Sequence, residues 1–200
     1  MAIQEVRNIA PFIEVVFTVT SKWWTERVNP VTGVTEIHRG LDIATGHNDT
    51  VVSMLKGKVL QVGYTSSAGN YIIIYDDDPT SSTYGYATRY LHLQYRPLYV
   101  VGQSVNLLEA IGTEGSTGTA TGIHLHIEMQ DISRFNWQWH TSNTKTDYLD
   151  PTVFMGIDNI EGTQWIYHGT PPTPIIYARK KPFPWYLITA KKKRRLNSRI

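Results

Sequence analysis

The sequence contains no cysteine. A disulfide framework, a thiolate zinc site and a cysteine nucleophile are excluded together, so any metal must be held by histidine, aspartate or glutamate. This absence leaves the compartment open, because a chain without thiols tolerates oxidising and reducing surroundings alike. Charge is sparse, at 18% against 41% hydrophobic residues, which is the balance of a globular chain and not a disordered one. Long apolar runs are also missing. Phe183 to Ala190 spans about eight residues, where a membrane-crossing helix needs about 20. Met1 to Ala10 carries Glu5 and Arg7 and no apolar stretch, so no secretory signal is expected. No window shows a sustained 3.6-residue stripe, and there are no internal repeats.

Short strand-like segments are what the sequence does contain. Phe12 to Thr20 is rich in Val, Ile, Phe and Thr, and Lys58 to Tyr64 alternates loosely. Asn70 to Tyr75 is a continuous apolar run of the kind a buried strand shows, and Ala87 to Leu93 and Ile123 to Met129 read as further strands. Gly, Ser, Asn and Asp punctuate them. The expected fold is all-β, mainly antiparallel, with few or no helices. After Asp150-Pro151 the pattern fades, and Pro171-Pro172-Thr173-Pro174 reads as an extended connector. Residues 178–200 hold nine cations and no acid, so residues 1–177 carry ten cations against seventeen acids, a net −7. An acidic body with a basic tail is a two-part molecule. The expected organisation is an N-terminal strand segment over 1–17, a compact domain over 18–155, and a C-terminal extension over 156–200 with the connector and the basic tail.

Two of the seven histidines stand out at Ile123-His124-Leu125-His126-Ile127-Glu128-Met129. In a strand, alternate residues share a face. His124, His126 and Glu128 then point one way and the apolar residues the other, with the two imidazoles about 7 Å apart. A second element is His38-Arg39-Gly40-Leu41-Asp42. Gly40 and the lack of helical periodicity argue for a turn that folds Asp42 back towards His38. His38, Asp42 and one histidine of the 124/126 pair make a His₂-Asp set, the composition of a catalytic zinc site with three protein ligands and an open fourth position. Tyr90-Leu91-His92-Leu93 is the third element, and alternation puts Tyr90 and His92 on one face.

These motifs occur in an order that resembles the lysostaphin-type zinc endopeptidases, which cut peptidoglycan cross-links. The resemblance runs over roughly residues 18–151. It includes Arg27-Val28-Asn29-Pro30-Val31-Thr32-Gly33, His38 to Ile43, Arg89 to Leu93, Gly115 to Glu128 and Tyr148-Leu149-Asp150-Pro151. It implies a peptidase domain over 18–155, one zinc ion held by His38, Asp42 and His126, and His92 and His124 flanking water and the scissile carbonyl as acid-base groups. Glu128 is a candidate for orienting a ligand, and Tyr90 and Asn29 are candidates for the groove. The sequence departs from the family pattern at Trp23-Trp24, at Asn29 and at Ile123, none of them a ligand.

The implied partner is bacterial peptidoglycan, with Trp23, Trp24, Trp137, Trp139 and Tyr84 as groove walls or as core residues. The missing signal raises the expectation of delivery by another route, as a phage lysis protein or a virion-associated tail component; the basic tail reads by default as a solvated segment, with adhesion to anionic wall polymers and docking on virion or tail subunits as the alternatives. Nucleic acid is not the expected partner. A wall-binding or tail-assembly protein of the same fold, without activity, is the alternative. Asp76-Asp77-Asp78 reads as a solvated turn, and His47, His140 and His168 as bystanders.

Overall fold

The computed structural model of the protein describes residues 3–169. The connector at 171–174 and the basic segment 178–200 lie outside the described residues. In chain order the strands are β1 (Gln4–Glu5), β2 (Phe17–Ser21), β3 (Thr25–Val28), β4 (Thr35–His38), β5 (Leu41–Ala44), β6 (Thr50–Val52) and β7 (Gly57–Thr65). There follow β8 (Gly69–Tyr75), β9 (Tyr86–Leu93), β10 (Ser104–Val105), β11 (Ala110–Thr113), β12 (Leu125–Asp131) and β13 (Gln164–Ile166). The one α-helix among the described residues, α1, is Pro151–Met155. Nine strands form one sheet in the order β1-β13-β2-β5-β12-β9-β8-β7-β10, and β3-β4 and β6-β11 form separate pairs. Every pairing is antiparallel except β1 with β13. The all-β expectation holds. Among the described residues no helix is long and apolar enough to cross a membrane.

β12 runs through the centre of the sheet, between β5 and β9. Leu125, Ile127 and Met129 point into the main core with Phe12, Phe17, Ile43, Ile72 and Ile74, all buried. The 132–149 segment closes over the opposite side of β12. Gln130 exchanges hydrogen bonds with the backbone of His140, and Leu149 bridges to Met129. His126, Glu128 and Gln130 are consequently buried.

Both flanks of the expected 18–155 domain belong to the same sheet. β13 inserts between β1 and β2, with Gln164 opposite Thr18 and Gln4 opposite Trp165. Trp165 and Tyr167 are buried, as are Ile9, Ala10 and Phe12. The strand expected from Phe12 begins only at Phe17, because Pro11 and the left-handed backbone of Glu14 (φ 57°) interrupt it. Asp150-Pro151 marks no domain boundary. The Asp150 carboxylate accepts from the Thr152 N–H, Pro151 takes the first turn, and Gly156 ends α1 at φ 72°.

Candidate metal centre

β5 and β12 are antiparallel neighbours in which Asp42 stands directly opposite His126. Opposed residues on one face meet side chain to side chain. Asp42 Oδ1 lies 2.7 Å from His126 Nδ1. His38 ends β4, and the Arg39-Gly40 turn brings the next strand back beside it, so that His38 Nε2 is 3.1 Å from Asp42 Oδ1 and 3.0 Å from His126 Nδ1. Three ligand atoms from two separated stretches of chain thus form a small buried triangle. Gly40 is required for this approach, because a Cβ there would fall 2.3 Å from His126 Nε2.

Each of the three is held from behind. The Lys22 carbonyl accepts from His38 Nδ1 at 2.8 Å, which leaves Nε2 as the lone-pair nitrogen. Arg27 Nη1 donates to Asp42 Oδ2 at 3.0 Å. His126 Nε2 faces Glu128 Oε1 at 3.5 Å. Glu128 is itself set between Arg89 Nη1 at 3.1 Å and Arg39 Nε at 3.7 Å. Burial would raise the Glu128 carboxyl, but His126 and the two guanidinium groups bring it down to about 2.

The donor set tests whether a cation fits. His38 Nε2, Asp42 Oδ1 and His126 Nδ1 lie within 3.1 Å of one another, and each offers a lone pair to a cation once His126 is neutral. Burial opposes ionisation of Asp42, yet the His126 and His38 imidazoles hold its carboxyl well below the usual range. Burial lowers the His126 imidazolium, and the Asp42 and Glu128 carboxylates outweigh it and lift it to about 9. Without a metal, a proton on His126 is what satisfies the cluster. A four-coordinate zinc at 2.0–2.2 Å would space its ligand atoms about 3.3–3.6 Å apart, so the triangle need open by less than about 1 Å. The residues fit a zinc ion.

Two further imidazoles stand beside the triangle. His124 Nε2 is 3.8 Å from Asp42 Oδ1, and the His92 and His124 ring centres are 4.7 Å apart. His124 Nδ1 donates to the Gly122 carbonyl at 2.9 Å and His92 Nδ1 to the Thr117 carbonyl at 2.8 Å, so each ring keeps Nε2 as an acceptor. Burial, with the neighbouring His126 and His124 rings, pushes the His92 imidazolium down to about 3. Burial also lowers His124, against the pull of Asp42. Both rings are neutral near pH 7.

His92 arrives by a route that alternation does not give. Tyr90 is opposite Ile127 and Leu91 opposite His126. Regular pleating would therefore send His92 to the core with Tyr90. The left-handed backbone at His92, φ 63°, turns its ring to the other side. This corrects the reading that Tyr90 and His92 share a face. Tyr90 is fully buried in the core, where its hydroxyl accepts from the Met54 N–H at 2.7 Å, so it is not a groove residue.

Asn29 is likewise a turn builder. Its side-chain oxygen accepts from the Val31 and Thr32 N–H groups, and its amide donates to Glu36. Of the proposed aromatic walls, Trp23 is buried, Trp24 packs on Tyr148, and Trp137 stacks edge-on with Tyr84. Asp76 is buried, and its carboxylate accepts from the Asp78 N–H and the Thr83 hydroxyl. His47 contributes backbone hydrogen bonds to Thr45, His140 stacks on Phe135, and His168 pairs with Glu14. Sequence reasoning missed Arg27, Ser21, Arg39 and Arg89. Arg27, Arg39 and Arg89 carried a signal only through their place in the motifs, and Ser21 carried none.

A family model described as Peptidase family M23 matches residues 36–143. The peptidoglycan DD-endopeptidase ShyC of Vibrio cholerae is 37% identical over 110 residues, covering 55% of this chain and 24% of that protein. An uncharacterized metalloprotease of Buchnera aphidicola is 34% identical over 119 residues, covering 60% of this chain and 30% of the other. A crystal structure of a zinc containing peptidase from Vibrio cholerae superposes with a TM-score of 0.54 at 32% identity, over 74% of this chain and 39% of that one. The chain spans less than a third of the length of these two curated relatives.

Proposed function

Because the chain belongs to peptidase family M23, matched over more than half its length, we propose that it is a zinc-dependent endopeptidase that hydrolyses peptide cross-links of bacterial peptidoglycan. The observation that carries this reading is the convergence of three potential ligand atoms at mutual distances of 2.7, 3.0 and 3.1 Å, with two neutral imidazoles alongside. Relatives named as peptidoglycan DD-endopeptidases support the substrate class.

His38 Nε2, Asp42 Oδ1 and His126 Nδ1 would hold the ion. Zinc bound there supplies Lewis-acid chemistry, polarising a carbonyl and lowering the pKa of water to about 7. His92 and His124 each have Nε2 available as a proton acceptor. One takes the proton of the attacking water, and the proton passes to the departing amine. The low basicity that burial gives these rings makes their protonated forms strong acids, which favours the return step. Glu128 holds His126 from behind with its own charge fixed by Arg39 and Arg89. The loop from Ser116 to Gly122, whose last carbonyl accepts from His124 Nδ1, is half-buried to exposed.

Incubation of purified sacculi with the protein, with muropeptides read by mass spectrometry, tests the proposal. Cross-linked dimers are expected to disappear, to persist with a chelator or with His126→Ala, and to disappear again when zinc is restored to the native chain. Cleavage that survives both treatments would sink the reading. The non-catalytic alternative is opposed by the presence of all five residues. Docking of residues 178–200 on virion or tail subunits remains a proposal that rests on the charge partition of the sequence. Deleting that segment without loss of assembly refutes it.

A further inference from the structure

We infer that Arg27 is a positioning residue that restricts Asp42 to one oxygen and steadies His38 with the same nitrogen, so that the metal centre keeps a coordination position for solvent and substrate. This rests on the reading that His38, Asp42 and His126 hold zinc.

Sheet geometry delivers the guanidinium there. β3 and β4 pair with Thr25 opposite His38 and Arg27 opposite Glu36. Thr25 and Arg27 are alternate residues on the partly covered side of β3, while Glu26 and Val28 are exposed. Arg27 therefore lies one diagonal step from His38 and reaches across to β5. Nη1 has two hydrogens and two acceptors: Asp42 Oδ2 at 3.0 Å and Ser21 Oγ at 2.8 Å. The Ser21 hydroxyl in turn sits 3.3 Å from His38 Nδ1. Nε has one hydrogen, aimed at Glu36 Oε1 at 3.5 Å, and the Asn29 amide fixes that same oxygen at 3.0 Å. Besides the ligand Asp42, the planar fork is thus held at two points, Ser21 and Glu36.

An aspartate offers two equivalent oxygens, and a divalent cation can take both. In this site Oδ1 belongs to the triangle and Oδ2 is engaged by a charge-assisted hydrogen bond, the stronger kind. Swinging Oδ2 inward would break that bond and strand a partly buried guanidinium. Arg27 so biases Asp42 towards one-oxygen binding: Nη1 reaches both Asp42 and the serine behind His38 while Nε anchors the guanidinium plane on Glu36, a second anchor that a single ammonium does not have.

Cobalt(II) loaded into the full chain tests this through its visible absorption, which is strong in four-coordinate sites and weak at higher coordination. The native chain is expected to give the strong spectrum. Arg27→Gln is expected to weaken the bands and to lower zinc affinity about 10–100-fold, read by competition with a chromophoric chelator. Arg27→Lys keeps the charge without the fork and is expected to weaken the bands too; it carries the test if the glutamine variant does not fold. An unchanged cobalt spectrum in Arg27→Gln overturns the inference whatever the affinity does. A native spectrum in Arg27→Lys reduces Arg27 to a counter-ion and overturns it as well. A native chain that binds neither metal overturns the zinc reading and the inference with it, whereas a metal-binding native chain beside unaltered variants overturns the inference alone.

Discussion

His126 and Gly40 are in contact across the β12 strand edge, and the contact is so close that no side chain fits between them. A Cβ on residue 40 would lie 2.3 Å from His126 Nε2, 2.6 Å from Cε1 and 2.6 Å from the Ile127 carbonyl. Gly40→Ala is therefore expected to displace the His126 ring or the strand. Overpacking of this kind costs about 1–3 kcal/mol. Thermal unfolding is expected to show a lower midpoint, and zinc titration a weaker site. A variant with native values for both would show that the turn absorbs the methyl group without moving the ligand.

Glu128→Gln preserves size and removes the charge between His126, Arg39 and Arg89. A buried ionic cluster that loses one partner is destabilised by about 3–5 kcal/mol. Zinc affinity is expected to fall about 10–100-fold, since the carboxylate that faces His126 Nε2 is lost. Chelator competition and denaturant unfolding check the two effects separately. Affinity that remains native would demote Glu128 to a purely structural role.

Metal uptake is expected to release a proton. In the metal-free protein His126 is lifted to about 9, so it is charged at pH 7 and must lose its proton before Nδ1 can bind a cation. The sign follows: zinc affinity rises with pH up to about 9 and falls as the solution is acidified. Calorimetry at pH 7 in buffers of different ionisation enthalpy is expected to report about one proton released per zinc. A heat that is independent of buffer would contradict this.

His92→Asn separates chemistry from metal binding. Asparagine tolerates the left-handed backbone that residue 92 adopts, so the strand end is expected to survive. Zinc content is expected to stay native, while hydrolysis falls by about 10²–10⁴-fold. Loss of zinc along with activity would place His92 in the metal site and not beside it.

The His-x-His strand and the His38–Asp42 turn were readable because period-two alternation and a glycine bend are local properties. The same alternation failed at Tyr90 and His92, where a single positive φ reverses one side chain and no residue-type pattern announces it. Arg27 had no readable role, because its partners Ser21 and Asp42 meet it only once β2, β3 and β5 assemble. β13 was missed for a related reason. Gln164-Trp165-Ile166 is too short to show a period, and its pairing with β1 and β2 spans nearly the whole described chain.

That late strand has a practical corollary. β1, β13 and β2 form one border of the large sheet, and all three lie outside residues 36–143. A fragment trimmed to 18–155 would leave β2 with bare amides and carbonyls along a rim meant to be covered. It would also uncover the face that Trp165 and Tyr167 normally seal. Such a rim invites stacking between copies, so anyone excising the catalytic unit should carry the chain through residue 169 and retain the segment before Phe17.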